Sequence, residues 1–349
     1  MQEKSIDVAL LFHRDNIRYF TGFRVNRVAS SIFAVPRSGP PTYVVARLDL
    51  KRARRDCWID QLIAFPEDTP DILSVLDPVV PHSVERVGVE RSTITLEQAD
   101  FILGRYAGKP LLVDVQSLVD GLRLLKSEAE IERLRESARI ASQAMRTIQT
   151  DLRPGLIEAE IAASVESLLV KEGAEGTSFE TFMTSGENAW LPQRVTVRKP
   201  IRDGEMILLD LGGVYDGYCS DITRTMTTNG LAPNQRQLFD AARRAHDAAL
   251  EAIRPGVTAE QIDAAARDVL RGEGYGAYFP HLTGHGIGLS AHEGPIVDED
   301  VDMRIEPGMV FTIEPGAYVP GVGAARIEDM VLVTETGYEM LTDAPDEIE

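Results

Sequence analysis

Apolar residues in the first third of the chain gather in short runs separated by polar turns. Ile6–Phe12, Ser31–Val35, Thr42–Ala46 and Val87–Glu90 are mostly apolar and β-branched, which predicts strands. Leu48–Cys57 and Leu96–Tyr106 read as helices among them. The alternation predicts an α/β domain, and no glycine-rich phosphate loop interrupts it.

The pattern changes at Ser127. Ser127 and Glu130 form a capping box. Behind it Ile131, Leu134, Ala138, Ala141, Met145 and Ile148 recur at helical spacing, so one helix face packs. A boundary is expected within 115–126, giving domains 1–122 and 123–349. The second domain carries an internal repeat: Arg153-Pro154-Gly155 recurs as Arg254-Pro255-Gly256. Each copy follows an amphipathic helix and precedes another, which ends near Gly173 or Gly272. Thr258 and Gln261 cap the later one. Paired strands come next, and Pro154 lies 56 residues before Asp210 while Pro255 lies 59 before Glu314. The prediction is a duplicated helix–helix–hairpin unit with one acidic hairpin in each half.

The first hairpin runs from Met206 to Arg224, with Asp216-Gly217 as its turn signal. A Tyr215-Asp216 loop sets Asp210 directly opposite Asp221, and an Asp216-Gly217 loop sets them diagonally. Either register puts both carboxylates on one face. At about 4 Å they repel by roughly 4 kcal/mol at an effective dielectric of 20, so something must offset the charge. Solvation at a sheet edge, an arginine such as Arg224, or a metal would do so. The second half adds Glu314 and Glu328; Arg326 shares a face with Glu328 and is a candidate partner for it. Between the hairpins His281, His285 and His292 place three of the six histidines within twelve residues. Glycines on both sides of His285 allow close approach. Leu289 stands where a dinucleotide fingerprint needs its last glycine, so this is no nucleotide loop. Four carboxylates and a neutral imidazole balance two divalent cations, whose field lowers the pKa of a shared water. Such donors suit manganese, cobalt, iron(II) or zinc.

Composition narrows the partners. With 349 residues and 44% hydrophobic content the chain can bury two cores. Its 36 basic and 55 acidic residues give −19, which repels nucleic acid and anionic membranes. No apolar run is long enough for a membrane span, and the one near Met1 is too short for a signal peptide. Cys57 and Cys219 show no metal-type spacing, and two cysteines point to a reduced, cytoplasmic setting. Neither they nor His13 and His246 have a functional case.

The motifs resemble the creatinase/prolidase/aminopeptidase P/methionine aminopeptidase family, the pita-bread metallohydrolases. Asp210-Leu-Gly-Gly, Ser220-Asp-Ile-Thr-Arg-Thr, Gly284-His-Gly-Ile-Gly, His292-Glu, Glu314-Pro-Gly and Arg326-Ile-Glu-Asp occur in order, so the resemblance spans essentially the whole chain. Asp15-Asn-Ile-Arg-Tyr-Phe-Thr-Gly-Phe23 resembles the N-terminal domain of prolidase and aminopeptidase P. The implied fold is α+β: a smaller α/β creatinase-like domain, then a pseudo-twofold pita-bread domain. The resemblance makes Asp210 a ligand of one metal, Asp221 and Glu328 bridging carboxylates, and His285 and Glu314 ligands of the second. It also makes Glu314 the proton shuttle and His292 the group that stabilises the substrate carbonyl. His281 becomes a substrate-pocket residue, and Thr223 and Arg326 supports for the ligands. Phe179 is either a pocket wall or core.

One position departs. The family usually carries histidine after the proline of Ser185-Gly-Glu-Asn-Ala-Trp-Leu-Pro192, and here Gln193 stands there. Glutamine still hydrogen-bonds but carries no proton or charge. The implied activity is manganese- or cobalt-dependent Xaa-Pro dipeptidase action, or that of an aminopeptidase P, on dipeptides or short peptides by a homodimer. Length favours the dipeptidase form. Gln193 motivates a second reading, a hydrolase of a small ring amide of the ectoine type. A third, a binding protein on a degenerate scaffold, would show broken ligand positions, and all five are intact.

Overall fold

The computed structural model describes residues 1, 4–25, 31–66, 75–76, 79–80, 83–105, 108–192 and 195–346. The chain divides into two compact units, Met1–Leu122 and Arg123–Glu349. The first holds 15 Lys and Arg against 16 Asp and Glu, the second 21 against 39, so the acidic excess lies almost wholly in the second. Such a field draws cations toward that unit.

The first unit contains β1 (Val8–Leu11), α1 (Arg14–Thr21), β2 (Ile32–Pro36), β3 (Thr42–Ala46), α2 (Leu50–Asp56), β4 (Gln61–Phe65), β5 (Arg86–Val89), α3 (Leu96–Arg105) and β6 (Leu111–Asp114), and α4 (Gln116–Leu124) leads out of it. Among the described residues six strands form one mixed sheet, ordered β4-β3-β2-β1-β5-β6. Val8, Leu10, Ile32 and Val44 are buried in one cluster and Ala9, Leu11, Phe33 and Tyr43 in another. A sheet covered on both faces explains why its strands read as unbroken apolar runs. The predicted strand Thr42–Ala46 is exact and other described ends shift by no more than two residues; the predicted helix end at Tyr106 lies outside the described residues. Leu48 falls in a 3₁₀ turn, Arg47–Asp49, ahead of α2, and is exposed because it adds nothing to the helix's packed face.

The second unit contains α5 (Glu128–Asp151), α6 (Glu158–Lys171), β7 (Phe182–Ser185), β8 (Ile207–Leu211), β9 (Val214–Tyr215), β10 (Tyr218–Cys219) and β11 (Ile222–Met226). The pattern then repeats with α7 (Pro233–Ala252), α8 (Ala259–Gly272), β12 (Gly284–Gly286), β13 (Glu293–Val297), β14 (Val310–Ile313), β15 (Gly316–Val319), β16 (Gly323–Arg326), β17 (Asp329–Val333) and β18 (Tyr338–Met340). The predicted face of α5, from Ile131 to Ile148, is buried. Each large apolar side chain on it contributes roughly 1.5–3 kcal/mol. Both capping boxes form: Ser127 N–H donates to Glu130 at 2.9 Å, and Thr258 N–H to Gln261 at 3.0 Å.

The halves match in detail. Gly155 and Gly256 close the Arg-Pro-Gly turns at φ 89° and 90°. Gly155 N–H donates to Ile201 O at 2.9 Å, and Gly256 N–H to Ile305 O at 2.8 Å. Asp210 and Glu314 each lie nine residues beyond those carbonyls. Among the described residues one half's sheet runs β11-β8-β7 and the other's β13-β12-β14-β17-β18. They meet where Thr223 and Glu328 form an antiparallel bridge, Glu328 N–H to Thr223 O at 3.1 Å. That seam brings the two acidic hairpins together.

Candidate metal centre

In the first hairpin Asp216 and Gly217 form the turn with φ of 43° and 89°, the geometry Asp-Gly favours. Tyr215 pairs with Tyr218, and further down Asp210 pairs with Thr223. Asp221 is therefore diagonal to Asp210 and on the same face, which is the second of the two registers considered. In the other half Ile313 pairs with Asp329 and Gly316 with Arg326, a frame that sets Glu314 directly opposite Glu328.

His285 enters from β12. Its N–H donates to Thr312 Oγ1 at 3.1 Å, and Nδ1 lies 3.1 Å from Gly286 O, a contact that fits Nδ1–H donation. Nε2 then turns a lone pair toward the acids, 3.3 Å from Glu314 Oε1 and 3.7 Å from Asp221 Oδ2. The flanking glycines are required: a Cβ at Gly284 would lie 1.9 Å from Thr312 O, and one at Gly286 1.9 Å from Gly294 O.

Burial pushes all four carboxyls above their ordinary range, Glu314 to about 7. Repulsion adds to this for Asp221, from Glu328 and Asp210, and for Glu328, from Glu314 and Asp210. Burial also lowers His285 to about 3, so its imidazole is neutral. Asp210 Oδ1, Asp221 Oδ1 and Glu328 Oε1 are buried without a hydrogen-bond partner. Unpartnered carboxylate oxygens in a closed site are costly unless a proton or a cation bridges them. Asp221, His285 and Glu328 offer ligand atoms all within 4.8 Å of one another. The residues present therefore fit metal ions.

Arg326 supports the cluster without closing it. It bonds Asp210 Oδ2 through Nη2 and donates from Nε to Thr223 Oγ1 at 3.1 Å. Thr223 Oγ1 donates in turn to Glu328 Oε2 at 2.6 Å. The pairing considered between Arg326 and Glu328 is thus indirect, through the threonine hydroxyl. Arg224 does not bridge the acids at all. It is one residue from Thr223 and so points to the other face, where it bonds Asp329 Oδ1 at 2.8 Å and the carbonyls of Glu328 and Ala344.

The cluster lies at a cavity of roughly 780 Å³ whose walls include Phe179, Phe182, Val195, Leu282 and Tyr318. Phe179 is half-buried on this wall, not in the core. His292 is exposed and stacks on His285, centroids 3.9 Å apart. His281 also lines the cavity, but both its nitrogens are engaged, Nδ1 with Leu282 O at 2.8 Å and Nε2 with Tyr318 OH at 3.0 Å. Arg326 Nη1 donates to the same hydroxyl at 2.9 Å. Tyr318 therefore links the pocket wall to the acid cluster, a role the sequence reading missed. The available signal was its place four residues after Glu314, on the same face of an extended chain. Gln193 lies outside the described residues.

The pattern of metallopeptidase family M24 matches residues 132–335, and that of the creatinase/prolidase N-terminal domain matches 1–125. A Xaa-Pro dipeptidase of Lactobacillus helveticus is 32% identical over 347 residues, covering 98% of this chain and 94% of the relative. The solved prolidase of Pyrococcus furiosus superposes with a TM-score of 0.89 at 32% identity, covering 99% and 98% of the two chains. The X-Pro aminopeptidase of Thermotoga maritima superposes with a TM-score of 0.88 at 30% identity, covering 98% of each. Among the described residues no helix is long and apolar enough to cross a membrane.

Proposed function

The chain belongs to metallopeptidase family M24, with a creatinase/prolidase-type N-terminal domain and a pita-bread domain, and on that premise we propose that it hydrolyses Xaa-Pro bonds in dipeptides or short peptides. The carrying observation is the meeting of four carboxylates and one neutral imidazole at a cavity, with three buried oxygens left unpartnered. In this reading domain 123–349 is catalytic and domain 1–122 precedes it. Asp210, Asp221, His285, Glu314 and Glu328 would hold two divalent ions, manganese or cobalt before zinc or iron. When bound, the ions supply Lewis acidity, bringing the deprotonation of water near neutral pH and polarising the scissile carbonyl.

The protein's own groups do the rest. Glu314, raised by burial, can take a proton at Oε1 and pass it to the leaving nitrogen. His292, exposed beside the cluster, offers an N–H to the developing oxyanion. Arg326 holds Asp210 in place, and Thr223 holds Glu328. Phe179 and His281 form part of the substrate wall, and Gln193 is assigned to substrate binding from its place in the sequence alone. Nothing in the comparisons favours the ring-amide alternative. A cytoplasmic homodimer completes the reading, supported by the cysteine usage and the family.

The test is a panel of Xaa-Pro dipeptides and Xaa-Pro-containing tripeptides with the manganese-loaded protein. Proline release from dipeptides is expected. Release of the N-terminal residue from tripeptides instead would indicate the aminopeptidase form, and no cleavage of either would overturn the proposal.

A further inference from the structure

Three charged side chains outside the ligand set, Arg123, Lys126 and Glu293, converge. Glu293 follows His292 directly, and its carboxylate is largely buried. Lys126 Nζ bonds its Oε1 at 2.9 Å. Arg123 Nη2 bonds its Oε2 and also donates to Ser290 Oγ at 2.9 Å. Both cations are more than nine-tenths buried. Arg123 lies in the last turn of α4 and Lys126 just before α5, so the two cations come from one short stretch of chain. That stretch is tied down separately, by Lys126 N–H to Gly308 O at 2.8 Å. The carboxylate also lies over Gly288, where a Cβ would sit 2.5 Å from Glu293 Oε1.

The turn between β12 and β13 needs such an anchor. Ile287 and Leu289 are buried and fix its start. Past Leu289, Ser290, Ala291 and His292 bring no large apolar side chain to hold the path. Yet His292 must keep its ring stacked on His285 while staying open to the cavity. Buried ion clusters are poor sources of net stability compared with apolar residues of the same volume, though removing one partner is costly. Their best-attested use is to specify one geometry. We infer that Arg123, Glu293 and Lys126 are positioning residues that hold His292 in its working orientation, and that this cluster serves placement more than stability. The inference rests on the proposed role of His292, but its structural half stands without it.

Two variants test it in the full chain. Arg123→Met/Lys126→Met/Glu293→Leu replaces the cluster by apolar volume, and Glu293→Gln keeps shape and hydrogen bonding if the triple variant does not fold. Manganese isotherms, amide exchange across 286–293, and steady-state kinetics on a cleaved Xaa-Pro dipeptide are measured. Expected are an isotherm within about threefold of the parent and at least tenfold faster exchange at Ser290–Glu293. KM should move less than about threefold while kcat falls about tenfold, the signature of an interaction made in the transition state. Glu293→Gln should give a smaller change in the same direction. Unchanged exchange in a folded variant overturns the inference whether or not the parent cleaves dipeptides. Faster exchange with parental kcat overturns the catalytic half. A parent that cleaves no Xaa-Pro substrate counts against the proposed function, and exchange then decides the positioning claim alone.

Discussion

Thr223 stands directly opposite Asp210 on the neighbouring strand, and it donates its hydroxyl to Glu328 in the other half of the repeat, 2.6 Å away. One small side chain thus joins the two acidic hairpins, and it also accepts from Arg326 Nε. Thr223→Val keeps the shape and removes the hydroxyl. Buried groups on both sides then lose a partner, which costs about 1–3 kcal/mol. Manganese affinity should fall about 10–100-fold, the usual effect of losing a support behind a ligand. Thr223→Ser should restore most of it. Calorimetric titration is the check, and parental affinity in Thr223→Val would remove threonine from the supporting network.

A second prediction concerns pH. Without metal, burial raises Glu314 to about 7, and Asp221 and Glu328 are raised well above ordinary carboxylates by burial and mutual repulsion. A folded pKa above the unfolded value means that the folded state binds the proton more tightly. Stability of the metal-free protein should therefore fall as pH rises from 4.5, the ordinary value of glutamate, to about 7. Divalent cations favour the ionised form and reverse this preference. Melting in chelator should drop over that window, and the manganese-induced rise in Tm should grow across it. A rise that shrinks as pH increases would contradict the cluster's assignment.

Arg224 and Asp329 support the centre from the far face of the same strands. Arg224 is 2% exposed and Asp329 3%, and beside its bond to Asp329 the guanidinium donates to the carbonyls of Glu328 and Ala344. Arg224→Met leaves Asp329 buried without its main cation, a loss of about 3–5 kcal/mol. Arg224→Met/Asp329→Leu should recover much of that stability. Burial raises Asp329, but Arg224 and His246 outweigh it and hold the carboxyl below its ordinary 3.8. The pair's contribution is then complete above about pH 3.8 and is lost as pH falls through the folded value. Denaturant midpoints of the single and double variants at neutral pH decide it; a double variant no better than the single would refute the pairing.

Much of this arrangement was legible in the sequence. The repeat, both capping boxes and the shared face of Asp210 and Asp221 follow from periodicity and turn chemistry, which act over a few residues. The register was narrowed to two by the same reasoning, and Asp216 at positive φ selects one. What escaped depends on contacts between distant segments. Tyr318 and His281 are 37 positions apart, and Arg224 is 120 from Ala344. His246, assigned no role, lies 3.3 Å from Asp329 and belongs to the buried support. No local pattern distinguishes that histidine from an ordinary packed one. Arg326 shows the same limit: its face was readable, but whether it would meet Glu328 or Asp210 depended on how the two halves meet.

The glycines around His285 give the sharpest steric prediction. At Gly286 an added Cβ meets Gly294 O at 1.9 Å, and at Gly284 it meets Thr312 O at 1.9 Å. Both obstacles are backbone of neighbouring strands, so neither can swing aside as a side-chain end would. Gly286→Ala must push β13 away or shift β12, and either movement carries the His285 ring off the acids. Gly104 is the matched control. It lies in the last turn of α3 with open space around an added Cβ, and its backbone is not in the left-handed region. Alanine in a helix interior is about 0.5–1 kcal/mol more favourable than glycine. Gly104→Ala should therefore melt at or slightly above the parent temperature with unchanged manganese binding. Gly286→Ala should melt several degrees lower and lose most of its manganese affinity, read by thermal denaturation and titration on the same samples. If Gly286→Ala binds manganese like the parent, the close backbone approach is not what places the imidazole, and the contacts of His285 with Thr312, Gly286 O and His292 suffice.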